Sequence, residues 1–482
     1  MNTLSNANQK MTQYRWVICS LLFFATTVNY LDRQVLSLLQ PMLEEEFHWT
    51  DDDYGTITAI FSLFYAVSML FAGRFIDWMG TKKGYAWSIG IWSGGAALHA
   101  LCGILTERWV GLPDADALRA VAAGTDLAAT IGTVSVTFFV IARCVLALGE
   151  AGNFPAAIKA TAEYFPKKDR AFATGIFNSG ANIGAIIAPL TVPLMAELWG
   201  WETAFLVVGG IGFVWMGFWL YYYKPLDENK KVDPAERAYI RQDDKKDVPV
   251  EEVEGEGPGV KKLSFWQCIS FRQTWAFAFG KFMTDGVWWF FLFWTPAYLK
   301  IQYGMEGTQI AWPIAVLYTI TVFGSVFGGK FPTYFINRGM NPYAGRMRAM
   351  LIIAFFPLVV LFAQPFGYIS YWVPILLISV GASAHQAWSA NIFSTVGDMF
   401  PKGAIATVTG IGGMAGGIGS FFIQKGAGML FTYSGDTGMQ FMGFEGKPAG
   451  YAIVFIFCAV AYLIGWIVMK ILVPKYKVIV VD

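Results

Sequence analysis

The sequence predicts an all-α membrane protein of twelve transmembrane helices in two six-helix, pseudo-symmetric halves, and three observations predict it. The 482 residues are 55% hydrophobic and 14% charged, against about 25% charged in a soluble globular chain. The apolar residues gather in stretches of about 20 to 25, the length that spans a hydrocarbon core of about 30 Å. An offset of 235 residues, which lays Phe165 on Phe400, superposes parts of the second half on the first.

The twelve stretches fall near 14–38, 54–76, 85–105, 134–160, 171–196, 203–223, 275–299, 310–335, 347–366, 370–397, 405–431 and 450–473. With the amino terminus placed in the cytoplasm, only Arg108, Arg119, Lys300 and Lys447 of the 35 Lys and Arg lie outside, and Arg33, Arg143, Lys281 and Lys425 lie deep within spans, away from their cytoplasmic ends. The rest face the cytoplasm, as the positive-inside bias requires. The first outer loop, with Glu44 to Glu46 and Asp51 to Asp53, holds no Lys or Arg. The net charge of +1 averages a basic face and an acidic one and gives no reason to expect nucleic acid. The start, MNTLSNANQKMTQYRW, lacks a signal cleavage site and reads as a short cytoplasmic tail, so both termini are expected in the cytoplasm. Five scattered cysteines without CxxC spacing support neither a disulfide framework nor a zinc site.

Residues 1–223 form the predicted first half, 224–274 a cytoplasmic linker and 275–482 the second half. The linker changes abruptly to a charged composition with Gly and Pro that cannot bury itself, and its 234–246 portion reads as a solvated helix. The offset that pairs Phe165-Pro166-Lys167 with Phe400-Pro401-Lys402 also pairs Thr174-Gly175-Ile176 with Thr409-Gly410-Ile411. Parallel repeats of this kind place a substrate near the bilayer midplane between them. The helices after both turns are rich in glycine, which packing alone explains. Asn178 and Asn182 are different, because their amides must find partners away from water.

At the turn between the second and third spans stands Gly73-Arg-Phe-Ile-Asp77-Trp-Met-Gly80-Thr-Lys82-Lys83. This stretch is similar to the loop signature of the major facilitator superfamily, G-x-x-x-D-[RK]-x-G-R-[RK], and the twelve-span plan agrees with that fold over essentially the whole chain. The resemblance implies a gate in which Gly73 and Gly80 permit the turn and Asp77 engages a helix end across the halves. Trp78 and Thr81 depart from the pattern. The equivalent stretch Gly328 to Arg338 has no acid, so only the first latch is expected to operate. Glu163 and Asp398, paired by the offset, read as further helix-end contacts of the gate.

Buried charges are the sharper clue. An Asp, Lys or Arg at the centre of a membrane helix costs about 2.5 to 3.5 kcal/mol, so each must face protein or water, and such groups mark pathways more often than structural pairs. Asn29-Tyr30-Leu31-Asp32-Arg33 lies in the first span, and Arg143 and Glu150 lie on one face of the fourth. Guanidinium groups hold carboxylates in a fork and keep their charge, which suits Arg33 and Arg143 to an anionic substrate. A carboxyl in a partly dry cavity takes a proton readily, which suits Asp32 and Glu150 to proton coupling. The segments NYLDR and Arg143-x6-Glu150-Ala-Gly-Asn-Phe-Pro155 resemble the anion:cation symporter family, and that resemblance implies the same division of labour.

In the second half, Lys281 and Asp285 share a helix face as either an internal salt bridge or a cavity-facing pair. Trp288 and Trp289 either pack on lipid, the commoner use of such an aromatic stripe, or one of them offers a flat surface to a sugar ring. Gln386, Ser389 and Asn391 supply neutral donors and acceptors for hydroxyls. His385 falls opposite Glu150 by the offset and reads more simply as a packed residue. The Lys281-to-Leu299 pattern with His385-Gln-Ala-Trp-Ser-Ala-Asn391 looks like the hexuronate branch of the symporter family. That resemblance implies glucuronate or galacturonate carried with protons. The residues themselves reach only to a small carboxylate bearing hydroxyls, bound by Tyr30, Arg33, Arg143, Asn178, Lys281, Trp288, Gln386, Ser389 and Asn391.

The expected partners are a small anionic sugar acid, protons and the lipid bilayer of the inner membrane, with the chain a monomer and no cofactor or metal. A membrane enzyme would need a metal cluster, a nucleophile with its base or a phosphate loop, and none is present in the sequence. A hexonate carrier, an organophosphate exchanger, a cationic-drug antiporter and a transporter-shaped nutrient sensor are the competing readings.

Overall fold

The structure, a computed structural model, describes residues 11–242, 263–477 and 479. The first ten residues and the 243–262 part of the linker lie outside the described residues, as does the side chain of Asp77. The chain folds almost wholly into helices: α1 Tyr14–Phe47, α2 Asp51–Met79, α3 Thr81–Val110, α4 Ala115–Arg119, α5 Asp126–Glu150, α6 Asn153–Tyr164, α7 Lys167–Trp199 and α8 Trp201–Tyr222. After these come α9 Pro234–Ile240, α10 Phe265–Ser270, α11 Arg272–Tyr303, α12 Ala311–Ile336, α13 Pro342–Phe355, α14 Trp372–Met399, α15 Lys402–Thr437 and α16 Lys447–Leu472. A 3-10 segment, Phe356–Phe362, continues α13, and a two-stranded hairpin of Gln440–Phe441 and Phe444–Glu445 joins α15 to α16.

Each predicted span corresponds to a helical pass, and nearly all run past their expected ends. The first continues through Pro41 to Phe47, so Glu44 to Glu46 belong to helix rather than loop. Its stop is a left-handed His48 whose N–H returns to the Glu44 carbonyl. A capping box of Thr50 and Asp53 then starts α2. The fourth span breaks after Glu150, where Ala151 and Gly152 separate α5 from α6, and Pro155 stands in the first turn of α6.

Eight passes among the described residues are long and apolar enough to cross a membrane. The other four long helices are interrupted by charged and amide side chains: Asp32 and Arg33 in α1, Lys281 and Asp285 in α11, His385 to Asn391 in α14, and Gln424 and Lys425 in α15.

The internal repeat has structural counterparts. Pro166 and Pro401 adopt near-identical backbones, φ −64°, ψ 156° and φ −63°, ψ 149°, at the starts of α7 and α15. Both helices use glycine for close approach. A side chain at Gly180 or Gly184 would strike the α1 backbone at Phe23 or Thr27, and one at Gly428 would strike Asp51 of α2.

The two groups of six passes meet through polar contacts concentrated at one end, called here the far face because it lies opposite the α8–α9 connection. Lys425 binds Asp52 at 2.6 Å, Lys447 pairs with Asp51 at 2.7 Å, and Lys300 donates to the Pro41 carbonyl at 2.8 Å. The Thr308 amide donates to Glu197 at 2.6 Å. In all four the acceptor belongs to the first six passes and the donor to the last six.

The linker departs from expectation in its first part. Helix α9 is no solvated rod, because Glu236 and Ile240 are buried. Glu236 receives the Tyr14 and Arg15 amides, each at 3.0 Å, and pairs with the Arg15 guanidinium at 3.1 Å. It thus supplies the anion that the uncapped start of α1 lacks.

Candidate functional site

The site is built where α1, α2, α5 and α11 converge. Glycine brings the elements close enough: Gly95 of α3 packs on Leu146, and Gly149 of α5 packs on the backbone of Ser88 and Trp92. These contacts seat Glu150 at the inner end of α5. Gly184 seats α1 next to α7 one residue before Asp32 begins its turn, at Thr27 to Leu31.

Arg33, Arg143, Asp32 and Glu150 are all buried, and the fold brings the four together. Arg33 directs Nε and Nη2 to the same oxygen of Glu150, at 3.0 and 2.7 Å. Its guanidinium also lies 5.0 Å from the ring centroid of Tyr30, 4.7 Å from that of Tyr65 and 5.2 Å from that of Trp289. Arg143 is engaged far less. One nitrogen, Nη2, donates to the Arg33 carbonyl at 3.3 Å, and the group sits 4.9 Å from the Phe61 ring. Its Nε and Nη1 are buried without a hydrogen-bond partner, as are both Asp32 oxygens, Glu150 Oε1 and the amide of Asn29. Buried polar groups are almost always paired in native proteins. A concentration of unpaired donors and acceptors, with two cations and two anions between them, can receive a charged ligand and a proton.

The last six passes present a different surface. Lys281 and Asp285 are joined at 2.7 Å, so the internal salt bridge is the geometry present, and Lys281 also lies 4.4 Å from the Phe393 ring centroid. Gly416 makes room for the Asp285 carboxylate. Trp288 stacks on His385 with ring centroids 5.4 Å apart and planes 13° apart, which occupies one of its faces. His385 bonds the Tyr462 hydroxyl at 2.9 Å and faces α16. Asn391 ties α14 to α12 by donating to Gly328 at 3.0 Å, while its Oδ1 is buried and unpaired. Gln386 and Ser389 are half-buried on α14, and Asn178 is exposed on α7.

Of the residues expected at the gate, Glu163 and Asp398 bond within their own groups of helices. Glu163 accepts from Thr81 at 2.6 Å and from the Tyr223 hydroxyl, and Asp398 accepts from Arg346 at 2.7 Å. Gly80 has the positive φ of 76° that its turn requires. Gly73 has open space around it. Sequence reasoning did not single out Tyr65, Phe61 or Asn29. Asn29 stood in the quoted Asn29-to-Arg33 segment and had a signal, since an amide in a span needs a partner. The rings had none in a chain that is 17% aromatic.

Comparison with known proteins completes the description. Residues 22–424 match the family model of the Major Facilitator Superfamily. The chain belongs to that superfamily. It is therefore a multi-pass membrane transporter, not an enzyme. It is similar to the hexuronate transporter of Escherichia coli K12, with 28% identity over 467 residues, 96% of this chain and 95% of the relative. It is also similar to the galacturonate transporter of Dickeya chrysanthemi, with 30% identity over 326 residues, 68% of this chain and 84% of the relative. Among solved structures it superposes on a bacterial homologue of the human lysosomal transporter Spinster, determined inward-facing and occupied. That match has a TM-score of 0.68 at 17% identity and covers 96% of this chain and 97% of the other.

Proposed function

We propose that the protein is a proton-coupled symporter that imports a hexuronate such as glucuronate or galacturonate across the inner membrane. The observation that carries this reading is the unequal engagement of the two arginines. Arg33 is already neutralised by Glu150, whereas Arg143 keeps two buried nitrogens unpaired beside it. In the proposed cycle Arg143 receives the substrate carboxylate. Protons taken by Glu150 and Asp32 release Arg33 to join it, and the neutralised site then permits the halves, 1–223 and 275–482, to rock about it. Tyr30, Asn178, Lys281, Trp288, Gln386, Ser389 and Asn391 are proposed to contact the sugar as it moves between the halves. The names of the hexuronate and galacturonate relatives support the substrate class.

The far face is assigned to the outside and the α8–α9 connection to the cytoplasm, with both termini cytoplasmic and the chain acting as a monomer. The contacts of Lys425, Lys447 and Lys300 then close the outer side. Gly73, Asp77, Gly80, Glu163 and Asp398 are proposed to act in the inner gate, which reforms when the outer side opens.

Uptake of labelled galacturonate into proteoliposomes, with and without an inward proton gradient, tests this reading. Glucuronate is expected to compete and a hexose is not. Accumulation that ignores the gradient and is driven only by a preloaded anion would identify an exchanger instead.

A further inference from the structure

The Arg33–Glu150 pair lies within the first six passes, yet one of the three rings around Arg33 comes from the other side of the molecule. Trp289 of α11 sits 5.2 Å from the guanidinium carbon, against 5.0 Å for Tyr30 and 4.7 Å for Tyr65 of the first six passes. Phe61, Tyr65 and Phe293 surround it with ring centroids 5.6, 5.7 and 5.4 Å away. The Phe293 carbonyl in turn accepts from the Tyr54 hydroxyl of α2 at 2.8 Å. A cation–π contact changes an equilibrium by roughly threefold at an exposed site and by about thirtyfold when desolvated. Here the cation is buried and the ring belongs to a body that must move relative to it.

We propose that Trp289 is a positioning residue that holds Arg33 against Glu150 from the opposite half, and that this contact belongs to the state closed at the far face. Trp289 acts through Arg33 and through the closure it favours. A change at the ion pair, whether protonation or an arriving carboxylate, moves Arg33 out of its three-ring surround and weakens the hold of α11. Movement of α11 away from the first half frees Arg33 in return, since coupling of this kind is reciprocal. Trp288, one residue earlier, cannot take this role because it stacks on His385 inside the last six passes. The proposal rests on the Arg33–Glu150 pair being the coupling element of the transport reading.

The test compares Trp289→Phe, which keeps a ring, with Trp289→Leu, which does not, in the full-length protein in oriented proteoliposomes. The first readout needs no substrate: Thr56→Cys, next to Lys425 at the far face, is labelled from the far-face side with a membrane-impermeant maleimide, and the parent's own labelling is subtracted. Trp289→Leu is expected to raise the labelling rate at least about threefold, with Trp289→Phe staying near the parent. The second readout is galacturonate uptake, for which Trp289→Leu is expected to lower the maximal rate about tenfold with the apparent KM changed far less, and Trp289→Phe to restore most of it. Unchanged labelling in Trp289→Leu overturns the proposal whatever the uptake result. Raised labelling without galacturonate transport by the parent protein would uphold the contact and discard the substrate. A Leu variant that fails to fold is replaced by Trp289→Met, for which the same two outcomes apply.

Discussion

Arg143 is the residue on which the anion reading turns. A charged group hydrogen-bonding to a carboxylate contributes about 1.5 to 3 kcal/mol, and lysine offers a point charge where arginine offers a planar fork. Arg143→Lys is therefore expected to raise the apparent KM for galacturonate about ten- to hundredfold, measured by initial-rate uptake. Arg33→Lys is expected to affect the pH profile more than the KM, because its fork is spent on Glu150. These residues were legible in the sequence because a charge inside a long apolar run is costly and must have a reason. What the run of residues did not reveal was the pairing. Arg143 and Glu150 share a helix face, yet Glu150 bonds Arg33 of another helix. Nor could periodicity choose between Trp288 and Trp289, since neighbouring ring positions on a buried helix have the same composition and differ only in what lies opposite.

At the scale of elements, glycine contacts and one acidic cap set the geometry. Gly149→Ala places a methyl against the Trp92 and Ser88 backbones, and overpacking of this kind costs about 1 to 3 kcal/mol. The variant is expected to show a lowered melting temperature in detergent and, because the helix end carries Glu150, a larger loss of proton-driven uptake than of stability. The α1–α9 clasp has a pH signature. The Asp233 carboxylate accepts from the Glu236 and Thr12 amides, which hold it below the ordinary carboxylate range. A depressed folded value stabilises the clasp above the unfolded carboxylate pKa, and the stabilisation is lost as pH falls through the folded value. The protection factor against hydrogen exchange at residues 11–15, taken relative to the intrinsic rate at each pH, is expected to fall below about pH 4 in the parent and to be low throughout that range in Asp233→Asn. The sequence suggested a solvated helix here because most of the segment is charged. It did not show that the one acid at 236 would be needed by the uncapped start of α1, 221 residues earlier in the case of Arg15.

For the whole molecule the twelve-pass plan was legible from apolar run length, and the repeat from the two Phe-Pro-Lys turns. Both are local features. The charge complementarity across the far face was not legible, because it depends on which helices meet: acids of the first half, Asp51 and Asp52, face Lys447 and Lys425 of the second. Removing one partner of a buried pair leaves an uncompensated charge and costs more than the pair contributes. Asp51→Asn is therefore expected to favour the outward-open state, seen as faster maleimide labelling of Thr56→Cys from the far-face side. The glycine contact of α2 and α15 works in the same sense, so Gly428→Val is expected to give a similar increase with slower uptake.

The central claim is that one site couples a sugar acid to a proton, and the most direct measurement is proton movement itself. Galacturonate added to proteoliposomes with a trapped pH dye and no imposed gradient is expected to acidify the lumen. Glu150→Gln is expected to abolish that signal while still exchanging labelled for unlabelled galacturonate. Galacturonate uptake at an undiminished rate with no change in luminal pH would contradict the account.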